Sequence, residues 1–117
     1  MIVLITRDLF FGSKVSGTAQ ALGLSVTTCA APDRLRELLQ DAAVTGIILD
    51  LSSDIPPADV TAAIPDGRPI PRLAFGPHVE TARLESARAA GFEQVLPRSR
   101  FSAELVQLLR GLATSLR

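Results

Sequence analysis

Two short runs in this chain are apolar at almost every position. Ile2-Val3-Leu4-Ile5 opens it, and Gly46-Ile47-Ile48-Leu49 leads into Asp50. Each is too short for a buried helix and rich in Ile, Leu or Val, so each reads as a strand covered on both faces. Strands of that kind belong to parallel sheets flanked by helices. Such sheets place ligands beyond the carboxyl ends of their strands. Asp50, followed by Leu51-Ser52-Ser53, stands at that end of the strand that should be central.

The rest of the chain supplies the crossovers. Residues 2–6 form the first strand, and Arg7-Asp8-Leu9-Phe10 the turn after it. Phe11, Val15, Ala19 and Leu22 follow helical spacing, with Gly23 as the C′ stop. Gly12 and Gly17 weaken that helix by up to about 1 kcal/mol each. Residues 24–29 alternate and read as a half-exposed strand near an edge. Ala31-Pro32-Asp33 starts a second helix with the stripe Leu35, Leu38, Leu39 and Ala42. After the central strand, Pro56 and Pro57 can only begin a helix, and Pro65-Asp66-Gly67 ends it early. Residues 72–75 read as a strand, Gly76-Pro77-His78 as a turn and 79–90 as a helix closed by Gly91. Glu80/Arg83 and Glu85/Arg88 pair at i,i+3 on that helix. Residues 92–96 form the last strand and Pro97-Arg98-Ser99-Arg100 its exit turn. Phe101, Leu105, Leu108, Leu109, Leu112 and Leu116 line one face of the final helix, with Ser99 or Ser102 as its cap.

Five strands alternate with five helices without a repeat or linker. This is an α/β arrangement, a three-layer sandwich with right-handed crossovers. Five strands favour the flavodoxin-like order 2-1-3-4-5, with the switch point between the first and third strands. Thr6-Arg7-Asp8 and Asp50 then share one rim with Gly76-Pro77-His78 and Pro97-Arg98-Ser99. At 117 residues the chain is one domain, able to bury roughly two-thirds of its unfolded surface. Twelve basic and twelve acidic side chains cancel, so no global field favours nucleic acid or an anionic membrane. Low aromatic content, with no Trp or Tyr, argues against base-stacking platforms. Cys29 alone makes neither a disulfide framework nor a Cys-based metal site. A strand pattern starting at Ile2 argues against a signal peptide or membrane span and for the cytoplasm.

In length, element order and spacing the whole chain resembles a response-regulator receiver domain, the CheY-like fold. A receiver has an acidic pair after its first strand and a phospho-accepting Asp after its third. It has Ser or Thr after the fourth strand, and Lys, usually followed by Pro, after the fifth. The acids hold Mg²⁺ through oxygen ligands, and the ion and Lys neutralise the transferring phosphoryl group. The hydroxyl hydrogen-bonds the new phosphoryl oxygen. Here Asp50, in Leu49-Asp50-Leu51, matches the acceptor. The acid pair falls on Thr6 and Arg7, with Asp8 one place late. The hydroxyl position falls on Gly76, and the Lys position on Arg98 with Ser99 after it. The segment between Asp50 and Gly76 is also shorter than the family's habit. The chain resembles a degenerate, or pseudo-, receiver. Replacing two carboxylates by a hydroxyl and a guanidinium removes the charge that recruits Mg²⁺, so Mg²⁺ binding is expected to be weak or absent, with no other cofactor.

Three roles stay open for Asp50: phospho-acceptor, ion-pair partner of Arg7 or Arg98, or cap of its own turn. The reach of Arg7 favours the ion pair. His78 lacks a second ligand at metal spacing and reads as a solvated turn residue. Ser52 and Ser53 could hold a phosphate, though Ser after a strand needs no function. Cys29 reads as a small hydrophobe. Gly12-Ser13-Lys14 lacks the upstream glycine of a phosphate-binding loop, and no Gly-x-Ser-x-Gly elbow occurs. No nucleophile–base pair is visible, so the expected function is not enzymatic. It is a receiver-like signalling or scaffold module acting by protein–protein contact, independent of phosphorylation. The alternatives are a phosphorylatable receiver using Asp50, and a sensor of small anions or nucleotides using Arg7 and Arg98. The resemblance implies association through the fourth helix, fifth strand and fifth helix. Val106 and Ala113 beside the main stripe, and Arg83, Glu85 and Arg88, suit a homodimer there.

Overall fold

The computed structural model describes residues 1–114. At its centre lie β1 (Ile2–Ile5) and β3 (Gly46–Asp50), buried along their whole length. Their neighbours explain that burial. β1 runs between β2 (Val26–Cys29) and β3, and β3 between β1 and β4 (Arg72–Gly76). With β5 (Gln94–Pro97) the order is β2-β1-β3-β4-β5, every pair parallel. This is the flavodoxin-like order that five alternating strands predict, and the one the receiver resemblance implies. β2, at an edge, is only partly covered, as its alternating sequence requires.

Successive strand residues point to opposite faces, and the core divides accordingly. Val3, Ile5, Ile47, Leu49 and Ala74 pack under α2 (Pro32–Leu38), α3 (Pro57–Ala63) and α4 (Thr81–Ala89). Ile2, Leu4, Ile48, Leu73 and Phe75 pack under α1 (Leu9–Ala21), α5 (Arg98–Ala103) and α6 (Leu105–Thr114). Each fully buried Leu, Ile or Phe contributes about 1.5–3 kcal/mol. The layers approach closely at Gly46. A Cβ there would meet Leu112 Cβ and Cδ2 at 2.9 Å, so α6 rests on the bare backbone of β3.

Several boundaries differ from the sequence reading. α2 stops at Leu38 and Ala42 is exposed, because Arg68 donates to the Leu39 and Asp41 carbonyls and holds the chain in a turn. Val44 enters the core in its place. α4 begins at Thr81, which leaves Val79 exposed. Pro97-Arg98-Ser99-Arg100 is not a turn. Pro97 closes β5 and α5 starts at Arg98, without a side-chain cap from Ser99 or Ser102. The final helix is bent at Glu104, yet its ladder continues from Glu104 N–H to Arg100 O and from Leu108 N–H to Glu104 O. Phe101, Leu105, Leu108, Leu109 and Leu112 are buried as the stripe predicts, and Leu116 lies outside the described residues. Ala113 is not on a separate face; it packs against the core. Gly23 and Gly91 do terminate their helices, at φ +75° and +92°.

Candidate functional site

The register of β1 against β3 pairs Ile5 with Leu49, so the residues that follow, Thr6 and Asp50, meet at the rim. Thr6 Oγ1 donates to Asp50 Oδ2 at 2.8 Å and accepts the Asp8 N–H at 3.1 Å. Asp50 is only 3% exposed. Its second oxygen, Oδ1, accepts the Ser52 N–H at 2.9 Å, an Asx turn that closes the loop after β3. Both carboxylate oxygens therefore have a donor, which a buried carboxylate requires.

Asp8 does different work. It is the N-cap of α1, with Oδ1 accepting the Phe11 N–H at 2.9 Å. Its Oδ2 accepts from Arg98 at 2.9 Å. The Phe11 N–H and then the Arg98 guanidinium hold its carboxyl below the usual aspartate range. Arg98 reaches Asp8 because the aromatic core seats it. Its guanidinium lies 4.2 Å from the Phe11 ring centre and 5.8 Å from that of Phe75. Phe75 in turn stacks on Phe101 at 4.4 Å, and Phe11 tilts against both.

Neither arginine pairs with Asp50. Arg7 turns outward to Asp54 at 2.7 Å, where both side chains are well exposed. Reaching Asp50 would require burying a guanidinium beside a carboxylate already satisfied by neutral donors, with a desolvation penalty the exposed pair avoids. Asp50 caps its own turn, and Arg7 and Arg98 pair with Asp54 and Asp8 in place of it.

The remaining rim positions follow the same pattern. Gly76 is buried, and a Cβ there would lie 3.1 Å from Leu51 Cβ and 3.3 Å from Leu51 Cδ1. Leu51 is fixed by its N–H to Phe75 O at 2.9 Å, while Arg83 donates to its carbonyl at 3.1 Å. A buried leucine thus occupies the space beside the position where a receiver carries its hydroxyl. His78 is exposed, as expected of a solvated turn. Ser53 donates its N–H to Asp50 O, and its Oγ is buried with no partner among the described residues. Cys29 is buried, and that burial pushes its thiol up.

Arg7, Asp8, Asp50, Ser52 and Arg98 line a shallow depression of about 330 Å³ at the strand ends. The topology therefore gathers the residues that the sequence singles out. What sequence reasoning missed is the capping role of Asp8 and the aromatic seat of Arg98. The first had a signal, an Asp directly before a helical apolar pattern. The second needed the packing of three elements.

The carboxylates do not fit Mg²⁺. A hard cation takes six or more oxygens, with carboxylates among them. Here Asp8 and Asp50 have all four oxygens engaged by internal donors, and two guanidinium groups stand at the same rim. Among the described residues no group of three potential ligands converges on one point.

No protein-family model matches the chain, and no curated protein matches it in sequence. Solved structures do match in fold. The receiver domain of a sensor histidine kinase from Pseudomonas aeruginosa, with a magnesium ion in its active-site cleft, superposes with a TM-score of 0.77 at 19% identity. That match covers 96% of this chain and 95% of the other. The chemotaxis response regulator CheY4 of Vibrio cholerae gives 0.77 at 18% identity over 95% and 96%. A CheY-like protein (tadZ) from P. aeruginosa gives 0.69 at 19% identity over 99% and 94%. The chain has the receiver fold.

Proposed function

We propose that this chain is a receiver-like signalling or scaffold module that acts through protein contacts and not through phosphotransfer or turnover. One observation carries the reading: every carboxylate oxygen of Asp8 and Asp50 already has an internal donor. A receiver needs those oxygens for metal and phosphoryl group. The filled space beside Gly76 adds to it, because no hydroxyl stands there to read a phosphoryl oxygen. The rival, a phospho-accepting Asp50, rests on its place at the end of β3 and on its lack of a cationic partner among the described residues. Arg7 and Arg98, the residues of an anion sensor, are engaged by Asp54 and Asp8.

The test is incubation with acetyl phosphate and Mg²⁺, followed by intact-mass measurement. The expected spectrum shows the unmodified chain alone. A phosphoryl adduct absent from the Asp50→Asn variant would establish the rival reading instead.

A further inference from the structure

β2 is an edge strand, with β1 on one side and no neighbour on the other. The Ile2 N–H donates to Ser25 O and the Thr6 N–H to Cys29 O, both at 3.0 Å. Main-chain groups alternate between the two sides of a strand, so Ser25, Thr27 and Cys29 face β1. Val26 and Thr28 turn their N–H and C=O groups outward, where no described residue meets them. Such an edge is a template for another strand unless charge, proline or a bulge blunts it. From Leu24 to Ala31 there is neither a charged residue nor a proline, and Val26, Thr27 and Thr28 are β-branched. The opposite edge differs, since β5 follows Glu93 and closes on Pro97.

Beside this edge a groove of about 530 Å³ separates α1 from the end of β2. Leu9, Gly12, Ser13 and Ser16 form one wall, and Thr28 and Cys29 lie opposite. A strand added to β2 points alternate side chains to the face on which Val26 packs, the face that α1 covers. Those side chains meet the groove. Charge narrows the choice further. Asp8, which also lines the groove, is held by Arg98, and Arg34 beyond the end of β2 pairs with Glu37. Lys14 is exposed one position beyond Ser13 and has no ion-pair partner among the described residues. An acidic side chain on an incoming segment gains there, and a basic one is repelled.

We propose that the outer edge of β2 docks an extended segment of another protein, which joins the sheet as an added strand. Its main chain pairs with Val26 and Thr28, an apolar side chain enters the groove, and an acidic one meets Lys14. Main-chain bonds then supply affinity and the groove supplies selectivity. This names the partner surface of the contact module proposed above and rests on that reading. A second copy of the chain suits the edge less. The twofold axis that pairs β2 with itself puts both α1 helices, each bearing Lys14, on one face of the joined sheet, and β2 has no acid to offer either. The face made by α4, β5 and the last helix is the poorer candidate, because Val106 is only 39% exposed and Ala113 packs inward.

Selection of a phage-displayed library of random short peptides on the full chain tests the proposal, with no phosphodonor present, and the enriched peptide is then synthesised. The expected peptide alternates apolar or β-branched residues with polar ones and includes an acid. Its binding slows hydrogen exchange at the Val26 and Thr28 amides, read by NMR. Thr28→Pro removes one outward donor and should weaken binding by about tenfold. Proline is tolerated on an edge strand whose N–H faces solvent, and circular dichroism melting confirms the fold. Ser16→Phe, which fills the groove, should weaken binding likewise. A second measurement needs no protein variant: N-methylation of the peptide amides that face β2 abolishes binding, and methylation of the alternate amides does not. Failure to enrich any peptide overturns the proposal. So does binding that leaves the Val26 and Thr28 amides unprotected or that ignores N-methylation. A dimer of the free chain that Thr28→Pro dissociates overturns it too, because a second copy then holds the edge. None of these outcomes bears on Asp50, whose phosphorylation is read separately by mass.

Discussion

Thr6 stands at a position where a receiver carries an acid, and its hydroxyl joins Asp50 to the backbone of Asp8. Replacing it with the isosteric valine leaves a buried carboxylate oxygen without a donor. An unsatisfied buried group costs about 1–3 kcal/mol, more for a charged one. Thr6→Val is therefore expected to lower stability by at least that range in urea unfolding, while Thr6→Ser, which keeps the hydroxyl, loses less. Asp8 makes a pH-dependent prediction. Its folded carboxyl titrates below the unfolded value, owing to the Phe11 N–H first and Arg98 second. Such a group adds stability that is fully present above its unfolded value. That stability is lost as pH falls through the folded one. The wild type should thus melt above Asp8→Ala at neutral pH, with the difference shrinking below about pH 4. A difference that does not depend on pH would mean that the carboxylate's charge plays no part.

At the scale of elements, two glycines set how closely layers and strands approach. Gly76→Ser would press its Cβ into Leu51, whose backbone is pinned to β4. Overpacking of this kind typically costs about 1–3 kcal/mol. The clash has a single named partner, so the two sites should couple. In a double-mutant cycle, Gly76→Ser is expected to cost less in a Leu51→Ala background, which removes the Cδ1 contact while keeping the Cβ one, than in the wild type. Strict additivity would show that the leucine yields freely. Gly46→Ala faces a tighter contact with Leu112 and should be the more damaging substitution, read in the same urea experiment. The bent last helix belongs to this scale too. α5 carries Arg98 at its first position, so the start of α5 directly after β5 brings the guanidinium to Asp8.

For the whole molecule, ligand linkage gives the plainest test. A ligand that binds only the folded state raises stability by RT ln(1 + [L]/Kd). With its carboxylates internally occupied, the protein is expected to show no measurable change in Tm in millimolar Mg²⁺. A rise of several degrees would mean that Asp8 leaves its cap to bind the ion. Asp8 both caps α1 and binds Arg98 at the rim. Release of that cap would therefore disturb that helix.

The architecture is legible in the sequence because its determinants are local. Ile2 to Ile5 and Gly46 to Leu49 are apolar without alternation and too short for a buried helix, which points to a doubly covered strand. Gly23, Gly91 and the Pro56-Pro57 pair mark helix ends within a few residues of where they fall. Such signals depend on neighbours one to four positions away, and tertiary contacts reinforce them. The pairing of the rim residues is of another kind. Asp50 meets Thr6 across 44 residues, Arg7 meets Asp54 across 47, and Arg98 meets Asp8 across 90. A long guanidinium can reach several carboxylates, and the choice depends on burial, on ring faces such as that of Phe11, and on which oxygens are already bonded. Those quantities exist only once the layers have packed. The sequence by itself therefore determined which residues share the rim, and the tertiary structure decided which of them hold one another.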